Sequence, residues 1–405
     1  MGRGKRPRTL ALLAFLVGSL LGAAVLGFAI LGGDGEARSS SFKPAVALHP
    51  VAGTFRPDDT TLAECTDGAC FEQAYGNVAH RDGPKVALEL FARHFGDGSD
   101  PACHRIAHTI GSASLARNGS NVASTIAEGS PTCGSGYYHG VLERALVGVR
   151  QRTRSALARV AGRLCDDGDV LNRASLLYQC LHGLGHGLMI TTGYELPVSL
   201  AVCNRLGSEW DRESCKGGVF MENRSSSYGV RSRWLRDDDP VYPCNSVAER
   251  DARTCYQLVT TQVIAAIGTD WERIAETCGG VERRWVGACF QSFGQNAAVY
   301  THRDPEGISE LCSVARPYGG ERACVVFAAM DLTNNFAGGE QASGLCRATA
   351  ARLRGACFEA IGTIMGRFRT TTAERVDDCR AISAEAADVA ACVRGSSAGL
   401  PAASP

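Results

Sequence analysis

The sequence predicts an all-α fold: a solenoid of α/α hairpins stapled by disulfides, behind one N-terminal transmembrane helix. Three observations carry this. Cysteines recur in couples at a near-constant period. A helix–break–helix pattern surrounds each couple. A long apolar span follows a basic N-terminus.

The cysteines set the repeat. The chain has 405 residues and 18 cysteines. From residue 165 onward they form seven couples: Cys165 with Cys180, Cys203 with Cys215, Cys244 with Cys255, Cys278 with Cys289, Cys312 with Cys324, Cys346 with Cys357, and Cys379 with Cys392. Second members follow one another at 33–35 residues in five of six intervals, the sixth being 40. A fixed period of this size marks stacked supersecondary units.

Each couple reads as a helical hairpin. In "PEGISELCSVARPYGGERACVVFAAMDL", Pro305 and Glu306 suit a helix start. "PYGG" breaks the helix and "ERACVVFAAM" begins the next. Cysteines placed close to such a turn on facing helices come within disulfide range, about 4.4–6.8 Å between Cα atoms. The segments beginning "DWERIAETC" and "GLCRATAARLRGAC" have the same layout. Alternating β-branched runs are scarce. Open, curved and closed arrangements of the hairpins all fit the pattern.

Over residues 160 to 395 this layout resembles the secreted bacterial α/α-repeat proteins with one disulfide per repeat, cysteine-rich relatives of the tetratricopeptide repeats. The resemblance lies in period and cysteine placement. The tetratricopeptide tryptophan, "LG" and tyrosine do not occur in order. The resemblance implies a groove that binds partners. By extension of the repeat, Cys103 is matched with Cys133 and Cys65 with Cys70, although connectivity does not follow from sequence alone.

Arg3, Lys5, Arg6 and Arg8 precede an uncharged stretch that runs to Asp34. More than about 20 apolar residues can cross a bilayer, and a basic flank stays cytoplasmic. The expectation is a cytoplasmic tail at 1–8, a signal-anchor at 9–32 and an extracytoplasmic remainder on a single-pass cell-membrane protein. A long cleaved signal peptide is the alternative. An even cysteine count fits complete pairing in an oxidising compartment. Residues 33–60 read as a linker, 61–225 as His/Cys-rich repeats, 226–395 as stapled repeats and 396–405 as a disordered tail. Net charge is zero, which gives no electrostatic footprint for nucleic acid.

The chain has nine histidines, and their placement is uneven. His104 and His108 follow Cys103, His139 and Glu143 follow Cys133, and His182 and His186 follow Cys180. "CLHGLGHGLM" reads as a helix beginning at Cys180, its glycines allowing close neighbours. Each pair has i,i+4 spacing, which shares one helix face. Neighbouring helices would aim all six residues at one spot, with Tyr137 and Tyr138 beside them. Glu222 and Asn223 hold a similar place one helix later. Imidazoles suit Zn, Cu or Fe. The corresponding later helices, which start around Cys255, Cys289, Cys324 and Cys357, have no histidine, so the repeat itself does not require it. The longest gaps between second cysteines flank this region, where insertions often form loops on a binding face.

Two classes of function compete. In the first, the histidines hold a transition metal for catalysis or capture, with Glu143 and Glu222 moving protons. Haem between two histidines is a variant of that class. In the second, the solenoid is a non-catalytic scaffold for a protein or an envelope polymer, and the histidines form a hydrogen-bond network with tyrosines. "GLGHG" lacks the spacing and the preceding strand of a phosphate loop. A thiol–disulfide enzyme is disfavoured because C-x-x-C is absent.

Overall fold

The computed structural model describes residues 53–95, 103–147, 149, 153–168, 173–336, 338–369 and 371–398. The expected anchor at 9–32 lies outside the described residues, as do the basic tail and most of the linker and C-terminal tail. Among the described residues no helix is long and apolar enough to cross a membrane.

The described residues form nineteen α-helices and no strand. In the N-terminal half, α1 (Gly68–Asp82), α3 (Cys103–Arg117), α5 (Gly136–Val147), α7 (Ala174–Thr191) and α9 (Glu209–Arg224) lie side by side. The helices α2 (Pro84–Phe95), α4 (Val122–Ala127), α6 (Arg154–Leu164) and α8 (Leu196–Cys203) return the chain between them. A turn-rich segment leads to α10 (Glu249–Tyr256) and α11 (Thr260–Ile267). The row then resumes as α13 (Val286–Tyr300), α15 (Glu321–Phe336), α17 (Ala351–Met365) and α19 (Ala386–Ala398). Between these run α12 (Trp271–Gly280), α14 (Pro305–Val314), α16 (Glu340–Ala348) and α18 (Thr372–Ile382).

Local chemistry starts and stops these helices. Asp304 caps α14 by accepting from Gly307 N–H, with Pro305 at the first position. Asp270 caps α12 in the same way through Arg273 N–H. Ser208 and Asp211 form a reciprocal capping box at α9. Between α14 and α15, Arg316–Tyr318 is a 3-10 turn and Gly319 adopts φ +73°, the conformation glycine tolerates best. "PYGG" therefore separates the two helices as the sequence indicates.

All nine cysteine couples are disulfides, including Cys65 with Cys70 and Cys103 with Cys133. In the N-terminal half Cys165 bonds Cys180, and Cys203 bonds Cys215. Further on, Cys244 bonds Cys255, Cys278 bonds Cys289, and Cys312 bonds Cys324. Cys346 bonds Cys357 and Cys379 bonds Cys392. Cα–Cα distances span 5.2–5.8 Å. From Cys165 on, each disulfide closes a loop of 11–15 residues, and closing about 15 residues is worth roughly 3 kcal/mol in the chain-entropy account.

The second cysteine of a couple stands inside its helix and does not start it. Cys289 lies three residues into α13 and Cys324 three into α15, while Cys357 lies six into α17. All three are fully buried in the core, away from solvent. Their role is to staple each inner helix to the one before it. A bond made within the helix body fixes the facing helices as well as the turn between them. Two hairpins depart further from the expected pattern. Cys244 lies in a turn, not on a first helix, and the helical stretch after Cys255 breaks at Gln257–Val259 into α10 and α11. Cys133 lies in the turn before α5, with φ +57°.

Residues 53–60, the end of the segment read as a linker, are packed on the helices. Phe55 is buried, filling a slot that Gly76 leaves open. Arg144 donates to the Phe55 carbonyl (2.9 Å), and Asn77 Nδ2 donates to Asp58 and Thr60 (both 2.8 Å).

Neighbouring helices of the row approach at backbone distance. A Cβ on Gly140 of α5 would lie 1.8 Å from the His108 carbonyl of α3, and one on Gly218 of α9 would lie 2.0 Å from the His182 carbonyl of α7. The same contact recurs in the C-terminal half. There Gly294 of α13 meets the Cys324 carbonyl of α15 at 2.1 Å, and Gly362 of α17 meets the Cys392 carbonyl of α19 at 1.9 Å. Gly355, also on α17, faces open space. Gly362→Ala should lower stability by roughly 1–3 kcal/mol, the usual range for overpacking. Gly355→Ala should be neutral or raise it by about 0.5–1 kcal/mol, because helical glycine is entropically costly. Thermal unfolding of the two variants side by side checks this contrast.

Candidate metal centre

The helix spacing converts the sequence pairs into one buried cluster. His104 and His108 project from α3, His139 and Glu143 from α5, His182 and His186 from α7, and Glu222 from α9. His108, His139, Glu143, His182, His186 and Glu222 are buried, and His104 is partly so. The helix carrying "HGLGHG" does not begin at Cys180; α7 starts six residues earlier, at Ala174. Its glycines do what the sequence suggests. Gly185 lies against the α9 backbone, and Gly183 and Gly187 lie against α5.

The five imidazoles form two triads that share one member. His104, His108 and His139 offer ring nitrogens within 4.8 Å of one another, and so do His139, His182 and His186. Within the first triad, His104 Nε2 and His108 Nε2 are 3.2 Å apart. Within the second, His182 Nε2 and His186 Nε2 are 3.3 Å apart. The His139 ring stacks on His186 at 3.8 Å between centroids.

Three of the opposite ring nitrogens are held from behind, while His182 Nδ1 is buried without a hydrogen-bond partner. His104 Nδ1 meets the Cys133 carbonyl at 2.8 Å. His108 Nδ1 faces Glu143 Oε2 at 3.4 Å, and His186 Nδ1 faces Glu222 Oε2 at 2.9 Å. Such carboxylate and carbonyl partners fix ring orientation and raise ligand basicity at metal sites. His139 is different. Neither of its nitrogens has a hydrogen-bond partner, although the ring is fully buried. Leaving a buried polar atom unpaired costs about 1–3 kcal/mol.

Glu222 accepts from four donors. Tyr194 hydroxyl (2.7 Å) and Ser227 N–H (3.0 Å) reach Oε1, while Ser227 hydroxyl (2.7 Å) and His186 Nδ1 reach Oε2. Four donors on two oxygens suit an ionised carboxylate. Glu143 Oε2 accepts from the Tyr228 hydroxyl at 2.5 Å, and its Oε1 makes no hydrogen bond. Ser227 also links the halves, its hydroxyl lying 3.5 Å from His108 Nε2.

Burial governs the charges. It pushes His104 and His108 down to about 4 and His182 to about 3, and it holds His139 and His186 well below the usual imidazole value. Neighbouring imidazoles add to the effect for His104, His139, His182 and His186. All five are neutral at pH 7, with lone pairs available to a cation. Burial pushes Glu143 up to about 8 and raises Glu222 against the pull of its donors.

Several expectations need revision. Tyr137 and Tyr138 do not line the cluster: Tyr137 donates to the Thr125 carbonyl (2.8 Å) and packs edge-on against Tyr138. The tyrosines at the site are Tyr194 and Tyr228, with Tyr178 stacked on His182 at 5.4 Å. Glu143 and Glu222 do reach the cluster as expected, each behind an imidazole. Asn223 is buried and tied to the 232–234 turn by Ser232 and Trp234, away from the imidazoles. Ser227 and Tyr228 were missed, though a signal existed. They lie in the long gap between Cys215 and Cys255, just past the expected boundary at 225. Tyr194, in the turn after α7, had no signal in spacing.

No family model, no curated protein and no solved structure matches this chain. The site therefore stands on its own geometry.

The pKa shifts fix a pH response for the metal-free protein. Imidazoles titrating near 6.5 when unfolded, and lower when folded (about 4 for His104 and His108, about 3 for His182, well below the usual value for His139 and His186), make the unfolded state bind more protons below pH 6.5. Stability should rise from pH 4 to pH 6.5. Glu143 acts oppositely, losing stability as pH rises from 4.5 towards 8. Five imidazoles outweigh two carboxyls on the acid side, so the melting temperature should peak near pH 6.5. His108→Ala with His186→Ala should flatten the acid limb. Melting of demetallated protein across pH 4–8 measures both effects.

Proposed function

We propose that this chain is a membrane-anchored, extracytoplasmic metalloprotein, with a resident transition metal (Zn, Cu or Fe) in the histidine cluster. One observation carries the reading. Nitrogen ligands at about 2.0–2.1 Å from a tetrahedral ion are separated by about 3.3 Å. The two Nε2–Nε2 separations of 3.2 and 3.3 Å match that edge twice. Neutral imidazoles and carboxylates behind the rings support the same conclusion.

A triad of imidazoles around an ion leaves a coordination position open, the pattern of catalytic rather than structural sites. Depth of burial favours a resident ion over a cargo exchanged at the surface, and it restricts reactants to small molecules such as water or dioxygen. Glu143 and Glu222, each one hydrogen bond from an imidazole, are the groups placed to hold and release protons. The anchor keeps the domain outside the membrane, where its disulfides persist.

A second reading draws on the C-terminal half. A cleft of about 510 Å³, lined by Tyr256, Trp285, Arg284, Glu249 and Asn245, opens between α10 and α12. It suits a scaffold that binds a protein or an envelope polymer.

The protein should be purified without a histidine tag from an oxidising compartment, and its metals counted by elemental mass spectrometry. Near-stoichiometric metal is expected, falling by at least half in His182→Ala with His186→Ala while the disulfides remain formed. Metal-free protein, even after Zn, Cu and Fe are offered, would contradict the proposal and leave the cleft as the functional surface. Glu222→Gln should weaken metal retention about 10–100-fold in chelator competition, the usual cost of losing an outer-shell partner.

A further inference from the structure

We propose that the cluster holds two metal ions, one per triad, with His139 bridging them through both of its ring nitrogens. This rests on the metal reading above and adds a stoichiometry and a role to it.

The division into two is geometric. The ligand atoms gather as two triads that meet only at His139. His104 and His108 lie on one side, with ring centroids 5.2 and 5.3 Å from His139. His182 and His186 lie at 5.6 and 3.8 Å. Each side has the same construction: an H-x-x-x-H pair on one helix and a glutamate on the next helix of the row. His108 to Glu143 and His186 to Glu222 are 35 and 36 residues apart, one repeat period. The site thus carries two copies of a binding unit, and each copy supplies only two imidazoles of its own.

His139 completes both. A terminal histidine ligand commonly has its second nitrogen held by an outer partner, as His104, His108 and His186 do here; His182 Nδ1 lacks one, but its Nε2 meets His186. His139 alone among the five has neither nitrogen engaged, at full burial. A ring that binds one ion would leave an orphaned N–H in the core, whereas a bridging ring leaves none. Bridging displaces the His139 N–H proton when the second ion binds, and that proton passes to solvent. Across an imidazole the two ions stand about 6 Å apart, given metal–nitrogen bonds of 2.0–2.1 Å. That exceeds the roughly 3.5–4 Å of two-metal hydrolases that clamp one oxygen. The centre is arranged for two electronically coupled ions with separate open positions.

The test uses full-length protein in detergent, stripped of metal and titrated with Cu²⁺ alone. Two Cu²⁺ per chain are expected, with a low-temperature electron paramagnetic resonance intensity well under half that of two isolated ions, because the bridge couples their spins. His139→Gln should restore full intensity per bound Cu²⁺. His182→Ala with His186→Ala should bind one Cu²⁺ with a full, uncoupled signal, and it supplies the uncoupled reference if His139→Gln does not fold. Two fully uncoupled ions in the unmutated protein, or one ion per chain, would overturn the bridge while leaving the metal reading intact. No bound Cu²⁺ would overturn both.

Discussion

The N-terminal half depends on one contact, a glycine set directly against a carbonyl oxygen of the next helix. It occurs where α3 meets α5, at Gly140 and His108, and where α7 meets α9, at Gly218 and His182. Any side chain there would push the backbones apart. At this separation, ring nitrogens from adjacent helices gather within 4.8 Å of one another, His104 and His108 with His139, and His139 with His182 and His186. The carbonyls in these contacts belong to His108 and His182 of the histidine cluster, so helix packing and imidazole placement are the same event.

Enclosing the imidazoles has electrostatic consequences. Removed from water, they are held neutral, while Glu143 and Glu222 are pushed towards protonation. Yet Glu222 is surrounded by four donors arranged for a carboxylate. A cation among the imidazoles reconciles these demands by supplying the charge that an ionised carboxylate needs in a dry interior. The disulfides hold the helices at this spacing, one staple per hairpin.

Much of this was legible in the sequence. The period of the cysteines foretold the hairpins and the pairing, because a disulfide demands proximity that only a tight helical turn supplies at 11–15 residues. The i,i+4 histidines foretold a common face, because helix geometry leaves no other arrangement. Other features were not legible. Tyr137 and Tyr138 sit next to His139 in sequence but on other faces of α5, turned towards α4 and the core. Tyr228 and Ser227 come from a segment without helical periodicity, whose path depends on tertiary contacts. The start of α7 six residues before Cys180 was hidden because Arg173 provides no side-chain cap. Cys357 is likewise six residues into α17, behind an Ala350 that offers no cap either. The unpartnered state of His139 is a property of three helices together, and no single segment encodes it.

The proposal stands or falls on whether the buried imidazoles bind metal in the fold described. Anomalous diffraction from crystals of the metal-loaded protein, collected on either side of the metal's absorption edge, tests it most directly. Anomalous density is expected within about 2.0–2.1 Å of the Nε2 atoms of His108 and His186, with Glu143 and Glu222 behind the rings. Anomalous density confined to the protein surface, with the five rings packed against one another around no ion, would contradict it.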